Sequence, residues 1–239
     1  YLGKISGGKF DIVTGDGSAG IAVGVARDFP ALKLADAFLS KEPTRTEDYL
    51  LRSHAKGLYL LGASEQAVEH AVWDLLYRLG HRQFFPGPTW EAIPSSKTLT
   101  LAVDQLEHPS YHARRIWYGY GAAPWASKHY ADWCAKNRAV SGITINSGHA
   151  YDGIVSRNKA EFEKHPEYRS LVNGERKSHQ FCISNEDLRK LVVNDALKQL
   201  ADNPTRQSIS LEPADGGGWC ECKECKKMGS VTDRVVALA

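Results

Sequence analysis

The chain has 239 residues, of which 42% are hydrophobic and 24% are charged; this composition can bury one large domain or two smaller ones and excludes an intrinsically disordered chain. With 30 basic and 28 acidic residues the net charge is +2, so the charge balance does not favour nucleic acid or an anionic membrane surface as a partner. No run of 18 apolar residues predicts a membrane-spanning helix, and residues 1–10 lack the basic start and apolar stretch of a signal peptide.

The first predicted elements are two short β-rich runs, residues 10–13 and 21–25. A glycine-rich segment, residues 14–20, separates them. Such a turn after a strand is typical of phosphate loops, but this one lacks the Lys-Ser/Thr ending and precedes a strand instead of a helix. We therefore do not expect a phosphate loop here.

Residues 48–53 and 57–62 predict two paired strands joined by a polar turn. Ser64 then offers an N-cap for a helix with apolar residues at helical spacing, and Gly80 ends that helix. A last strand is predicted at residues 98–101. These elements predict a small N-terminal α/β domain over residues 1–106, an open sheet with helices on one side.

After a linker at residues 107–110 the pattern changes to alternating strands and helices. The predicted strands are 115–118, 142–145, 180–183 and 207–211, and the predicted helices are 127–138, 161–168, 186–202 and 232 onward. Such alternation predicts a parallel sheet. Four strands are half of an eight-stranded barrel, so we predict that residues 107–239 are the first half of a TIM-type (β/α)₈ barrel in a longer natural chain. The alternative is a complete doubly wound sheet of four strands.

Candidate functional residues follow the predicted strands, because barrel sites lie at the C-terminal strand ends. Glu212 and Asp215, after strand four, are the candidate catalytic residues of a glycoside hydrolase, which needs a proton donor and a second carboxylate across the sugar ring. The alternatives are a surface role for Glu212 and a turn-forming role for Asp215. Candidate substrate-binding residues are His149, Asn185 and Trp219. Trp219 is suited to stack on a sugar or to desolvate the acid; the alternative for His149 is a loop histidine bonded to backbone.

Three cysteines, Cys220, Cys222 and Cys225, lie within six residues. Zinc takes four such ligands in a tetrahedron, and Cys182 is the candidate fourth, because the ends of strands three and four are neighbours in a barrel. The competing interpretation is one or two disulfides in an exported protein. Cys134 is expected to be a buried apolar thiol. Neither interpretation leaves a vacant ligand position, so we expect a structural site, with zinc favoured slightly, and no cofactor for catalysis.

Several motifs resemble known families. In the second half they are Gly-His-Ala-Tyr at 148–151, His-Pro-Glu-Tyr at 165–168, Asn-Gly-Glu-Arg at 173–176, Phe-Cys-Ile-Ser-Asn at 181–185, and residues 215–225. This set looks like the bacterial family labelled domain of unknown function 4838. Residues 47–49, 60–64, 79–82 and 85–87 are similar to the N-terminal domain of alpha-glucuronidases and the accessory domain of beta-hexosaminidases.

The resemblance implies a hexosaminidase-like accessory domain on a glycosidase-type barrel. In the alpha-glucuronidase and hexosaminidase relatives an acid follows strand four, which corresponds to Glu212 or Asp215. The Asp-Glu pair of hexosaminidases is replaced by Glu-Pro-Ala-Asp at 212–215, which argues against hydrolysis of N-acetylhexosamines. The second carboxylate is expected from later strands.

We therefore expect an exported bacterial glycoside hydrolase, secreted or periplasmic, that acts on a polysaccharide or oligosaccharide, including one with uronates. Arg114 and Arg115 begin strand one, and a guanidinium fork can pair with a uronate carboxylate. Side chains alternate along a strand, so one of the two arginines faces the barrel, and Arg115 is the candidate. The alternative is a carbohydrate-binding protein with a degenerate barrel and no turnover.

Overall fold

The computed structural model of the chain describes residues 1–34, 38, 42, 45–114, 116, 124–140 and 142–239. Predicted strand one, residues 115–118, lies outside the described residues except for Ile116, and so does Arg115. By packing, the chain divides into two units, Tyr1–Ile143 and Thr144–Ala239.

The first unit contains a four-stranded sheet in the order β1-β3-β2-β6 and a two-stranded sheet of β4 and β5. Its elements are α1 (Leu2–Ser6), β1 (Gly20–Val25), β2 (Tyr49–His54), β3 (Gly57–Gly62), α2 (Glu65–Arg78), β4 (Arg82–Gln83), β5 (Glu91–Ala92), β6 (Asp104–Glu107) and α3 (Pro124–Lys136). Strand β3 pairs with β1 in parallel and with β2 antiparallel, and β2 also pairs antiparallel with β6.

The β2–β3 hairpin confirms the prediction of two paired strands. Side chains alternate across a strand, so Leu51 and Leu60 pack against α2 on one face, while Leu50 and Leu61 pack on the opposite face. All four are at most 2% exposed. Burial of one leucine side chain stabilises a fold by about 1.5–3 kcal/mol, so this hairpin is the centre of the first unit.

Helix α2 begins where the sequence predicts it. The Ser64 hydroxyl accepts a hydrogen bond from the Ala67 N–H at 3.2 Å, which satisfies one of the free N–H groups of the first turn. After the helix, Gly80 takes a left-handed φ of 98°, which favours glycine.

Two predicted strands of the first unit are not formed. Residues 10–13 are not in a strand, and Ile12 is fully exposed. Residues 98–101 also do not form a strand. The chain pairs with β2 a few residues later: the Ser53 N–H donates to the Val103 carbonyl at 2.7 Å, and β6 then continues the pairing. A β-rich run becomes a strand only where a partner lies in register, which short-range composition does not encode.

The second unit is mainly helical. Its helices are α4 (Tyr151–Arg157), α5 (Lys159–Lys164), α6 (Glu186–Asp202), α7 (Lys223–Lys227) and α8 (Val231–Leu238). Helices α4, α5, α6 and α8 contribute to a core in which the Tyr151 and Phe181 rings stack with centroids 3.9 Å apart. Asn185 caps α6 as predicted, with its side-chain oxygen accepting the N–H groups of Asp187 and Leu188 at 3.0 Å.

The segments predicted as strands two and four lie side by side in parallel, but they are joined differently from a regular ladder. The Ala150 N–H donates to the Glu212 carbonyl at 2.8 Å, and His149 and Glu212 form an isolated parallel bridge. Elsewhere side chains replace the ladder: Ser208 Oγ accepts the Asn146 N–H at 2.6 Å. Polar side chains that bond to the backbone compete with strand pairing, which explains the missing ladder.

The structure corrects the predicted order of these strands. A barrel that follows chain order would place strand three between strands two and four. Instead, Phe181 of predicted strand three forms an antiparallel bridge with Arg169. A short apolar run fits a sheet strand and a buried extended segment equally well, so the sequence pattern could not distinguish them.

The described residues confirm a mixed α/β protein and contain no closed barrel; the barrel and the division after residue 106 stay predictions. Helix α3, which the sequence pattern places in the barrel, packs within the first unit, where the Trp133 indole N–H donates to the Gln83 carbonyl at 3.1 Å. Within the part of the chain that the structure covers, no helix has the length and apolar character needed to cross a membrane.

Candidate metal centre and acidic rim

Four cysteines come together in the second unit: Cys182, Cys220, Cys222 and Cys225. Their sulfur atoms all lie within 4.8 Å of one another. The Cys182 sulfur is 3.8 Å from that of Cys222 and 3.9 Å from that of Cys225. Four sulfurs held about 2.3 Å from a metal in a tetrahedron are about 3.8 Å apart, so the cluster can hold a metal ion.

These distances do not fit disulfides, which place two sulfurs about 2.05 Å apart. All five cysteines fall within the described residues, and all five are free thiols there. Cys134 lies apart from the cluster on α3, where burial raises the pKa of its thiol.

Backbone N–H groups point at the clustered sulfurs. The Cys220 sulfur accepts the Leu171 N–H at 3.3 Å, the Cys225 sulfur accepts the Ser184 N–H at 3.4 Å, and the Cys222 sulfur accepts the Cys225 N–H at 3.3 Å. Hydrogen bonds of this kind stabilise the thiolate form, which is the form that binds metal.

The thiols differ in acidity. Burial raises the pKa of Cys220 to about 12. Burial also acts on Cys222, but hydrogen bonds from the Cys225 N–H and the Ser184 hydroxyl outweigh it and lower the pKa of Cys222 to about 6. Burial would lower the pKa of Arg176, but the neighbouring Cys182 sulfur outweighs that effect and raises it. A guanidinium beside the cluster offsets part of its negative charge.

The four predicted ligands therefore lie together, but the backbone pairing that positions Cys182 differs from the barrel order that the sequence predicted. Its N–H donates to the Tyr168 carbonyl at 2.9 Å, and the Glu221 N–H donates to the Leu171 carbonyl at 2.8 Å. The segment after the short helix Pro166–Tyr168 thus lies between Cys182 and the cysteine loop, residues 215–225. Antiparallel pairing in this excursion, and not barrel order, positions the fourth thiol.

A second group of candidate residues lies at the ends of the two parallel segments. His149 Nε2 is 3.1 Å from a carboxylate oxygen of Asp215, and His149 Nδ1 is 2.7 Å from the Pro213 carbonyl. The backbone bond to Pro213 and the nearby carboxylates raise the pKa of His149. Glu212 accepts the Gly148 N–H at 2.6 Å, so it ties the two segments together.

The side chain of Asp215 is 90% exposed, which leaves it accessible to a ligand. Next to it in the chain, the Ala214 carbonyl accepts the side-chain amide of Gln180 at 2.6 Å. Gln180 is 1% exposed, and this hydrogen bond fixes the backbone next to Asp215 to the protein interior. The sequence did not point to Gln180, because one polar residue in a short apolar run carries no functional signal.

The other predicted binding residues have partners or positions of their own. The side-chain oxygen of Asn185 is engaged in the α6 cap. Trp219 is half-buried beside the cysteine loop. Arg114 donates to Glu47 and to the carbonyls of Tyr111 and Arg138 within the first unit, so its guanidinium is engaged by protein groups.

A model of the family described as Domain of unknown function (DUF4838) matches residues 85–235, well over half of the chain. No curated protein and no solved structure shows significant similarity to the chain. The matched residues include the whole cysteine cluster and the acidic rim of His149, Glu212 and Asp215. The chain therefore belongs to the DUF4838 family.

Proposed function

We propose that the chain belongs to an exported carbohydrate-active enzyme that hydrolyses glycosidic bonds, with Asp215 as its proton donor. The observation that carries the proposal is the position of Asp215: an exposed carboxyl group, held by His149, at the end of two parallel chain segments. In parallel α/β folds, ligands bind beyond the carboxyl ends of the strands.

The exposed carboxyl group of Asp215 is accessible to the oxygen of a glycosidic bond. In the hydrolysis, the bond between the anomeric carbon and the leaving oxygen breaks, and the leaving oxygen takes the proton of Asp215. Water supplies the hydroxyl group on the anomeric carbon and gives its remaining proton to a carboxylate base.

Glu212 has a different role in this proposal. Its carboxylate accepts the Gly148 N–H and its carbonyl accepts the Ala150 N–H. Both bonds hold the two parallel segments in register. We assign Glu212 to positioning of His149 and Asp215, and not to proton transfer.

For the cysteine cluster, zinc is the metal that fits best. Four thiolates in a tetrahedron form a closed site with no ligand position left for water or substrate, so a zinc ion there supplies structure and no chemistry. It would hold the loop of residues 215–225, and with it Asp215 and Trp219. Residues 1–106 would serve as the accessory domain that their resemblance to glycosidases implies.

A carbohydrate-binding protein without turnover is the second candidate. The exposure of Asp215 favours it, because an acid–base carboxyl group is usually shielded from water to raise its pKa. Binding alone needs no such shielding.

Hydrolysis assays on the full-length protein test the proposal, with aryl glycosides and both neutral and uronate-bearing oligosaccharides as substrates. Asp215→Asn is expected to lower turnover by about 10²-fold or more, as for the loss of a general acid. Asp202→Asn is the matched control, an exposed aspartate in the last turn of α6 that pairs with Lys198. Turnover of Asp215→Asn equal to wild type removes Asp215 from the mechanism, and no turnover on any substrate favours the binding protein.

A further inference from the structure

An open cleft of about 450 Å³ lies beside Asp215 in the second unit. Its lining includes the apolar Val172, the glycine backbone at 217–218, and the polar side chains of Asn173, Glu175, Lys177, His179 and Asp215. Its volume is within the range of small-molecule sites, about 300–1,000 Å³.

One wall of the cleft is a tight hairpin. Val172 and Glu175 exchange backbone hydrogen bonds of 2.8 and 2.9 Å. The two residues between them have left-handed φ angles, 48° at Asn173 and 80° at Gly174, as a two-residue hairpin requires. The Asn173 N–H donates to the Glu221 carboxylate at 2.9 Å, which fixes the hairpin tip to the cysteine loop.

The opposite wall is the glycine segment before the cysteines. The Ser178 hydroxyl donates to the Gly218 carbonyl at 2.7 Å. Gly218 has a φ of 80°, and a Cβ there would lie 2.5 Å from the Ser178 hydroxyl oxygen, so this wall is closely packed. Both walls are therefore held by hydrogen bonds before any ligand arrives, which lowers the entropic cost of binding.

The charges in the cleft favour a neutral ligand. Lys177 pairs with Glu175 at 3.0 Å, and His179 faces Asp152 at 3.3 Å. Asp215, which also lines the cleft, is 3.1 Å from His149 Nε2. The lysine and histidine that line the cleft each have a carboxylate partner, so a sugar carboxylate would have to compete with these partners, whereas sugar hydroxyl groups can donate to the carboxylates and accept from Lys177 or the Asn173 amide.

We infer that this cleft is a subsite for a neutral, hydroxyl-rich sugar residue next to the bond on which Asp215 acts. The inference rests on the proposed function for the role of Asp215, and it adds the substrate class. It predicts that neutral oligosaccharides bind better than acidic ones.

Gly217 provides a way to block the cleft without disturbing the fold. A Cβ added there meets no atom within 4 Å, and its φ is outside the left-handed region. Gly217→Leu should therefore place a side chain in the open space of the cleft. Gly15→Leu in the first unit is the matched control, since Gly15 is also exposed, has no atom within 4 Å of an added Cβ, and lies outside the left-handed region.

The test is titration calorimetry of the full-length protein with cellotetraose and xylotetraose as neutral probes and tetragalacturonic acid as the acidic probe. We expect a neutral probe to bind wild type and Gly15→Leu with equal Kd. Gly217→Leu should raise the Kd of the neutral probe at least about tenfold. The acidic probe should bind wild type with a Kd at least about tenfold higher than that of the neutral probe, and each tenfold difference corresponds to about 1.4 kcal/mol of binding free energy. Equal binding by Gly217→Leu and wild type, tighter binding of the acidic probe, or no binding of either neutral probe to wild type would each overturn the inference. If Gly217→Leu abolishes binding of the neutral probe but the protein hydrolyses none of the substrates, the subsite is supported and the proposed glycoside hydrolase activity is refuted.

Discussion

Replacing Cys225 by serine tests the cysteine cluster most directly. Its sulfur is fully buried and is 3.9 Å from that of Cys182. A hydroxyl group is a much poorer zinc ligand than a thiolate, so Cys225→Ser removes one of four ligands. Structural zinc sites contribute about 10–16 kcal/mol of apparent binding energy, so an equal share for each ligand is about 3 kcal/mol, or a loss of zinc affinity of about 150-fold.

Loss of the metal should have a local effect on the fold. The core around the cysteines contains, besides the four sulfurs, Leu171 as its one further apolar residue among those described. So small an apolar core cannot by itself hold the hairpin at 172–175 and the loop at 216–222. Zinc loss should therefore open these two segments locally, while the separate core around Tyr151 and Phe181 stays folded.

The assay combines elemental analysis with hydrogen exchange of the purified full-length protein. We expect one zinc per chain in wild type, less than a tenth of that in Cys225→Ser after dialysis against a weak chelator, and faster exchange limited to residues 171–176 and 216–228. Cys134→Ser is the matched control, since Cys134 is buried away from the cluster and its variant should keep the metal. Cys225→Ser protein that retains one tightly bound zinc, or wild type that contains no metal and exchanges slowly, would refute the reasoning.

Three further predictions concern stability. Ser64→Ala removes the α2 cap and should lower the free energy of unfolding by about 1 kcal/mol in urea titrations; a change below about 0.3 kcal/mol would contradict the capping role. Burial raises the pKa of Glu91, but hydrogen bonds from Lys136, Tyr1 and His81 outweigh it and hold that pKa at about 2. Because the folded pKa is depressed, this stabilisation is complete above pH 4.5 and is lost as pH falls toward 2. The stability gap between wild type and Glu91→Gln should therefore be on the order of 2–3 kcal/mol at about pH 6 and shrink toward about pH 2 in thermal scans, and a gap independent of pH would contradict it. The buried Tyr151 hydroxyl has no hydrogen-bond partner in the described part of the chain. Tyr151→Phe should therefore leave the free energy of unfolding unchanged or raise it by up to about 1 kcal/mol; a decrease of about 1 kcal/mol or more would contradict this and indicate a bound water as its partner.

Local signals in the sequence predicted the capped helices well, whereas the short helices α1, α4 and α7 were not predicted. Ser64 and Asn185 cap α2 and α6 through their own side chains, and capping depends on residues within one turn. The β2–β3 hairpin was predicted for the same reason, since its two strands are separated by a short polar turn. Helix α8 begins at Val231 with a capping box formed by Ser230 and Asp233, close to the predicted start at residue 232.

Strand partners were predicted less well. Residues 10–13 have a β-rich composition but no strand, and predicted strands two and four lie side by side without strand three between them. The composition of a segment indicates its preference for extended backbone, but the strand with which it pairs depends on the packing of the whole chain. Chain order was the available guide to neighbours, and the antiparallel excursion at Arg169 and Phe181 departs from it.

The candidate sites divide along the same line. The spacing of Cys220, Cys222 and Cys225 limits how far apart the three thiols can lie, because five residues of backbone span at most about 17 Å. Cys182 was predicted as the fourth ligand, but the antiparallel pairing that brings it there, the contact of Asp215 with His149 and the open cleft beside Asp215 depend on the tertiary structure. The contacts of Cys182 with the other three cysteines and of Asp215 with His149 join residues about 40 or more positions apart, and no short-range signal encodes them. They form only when the apolar faces of the second unit pack together, which is a property of the whole chain and not of any one motif.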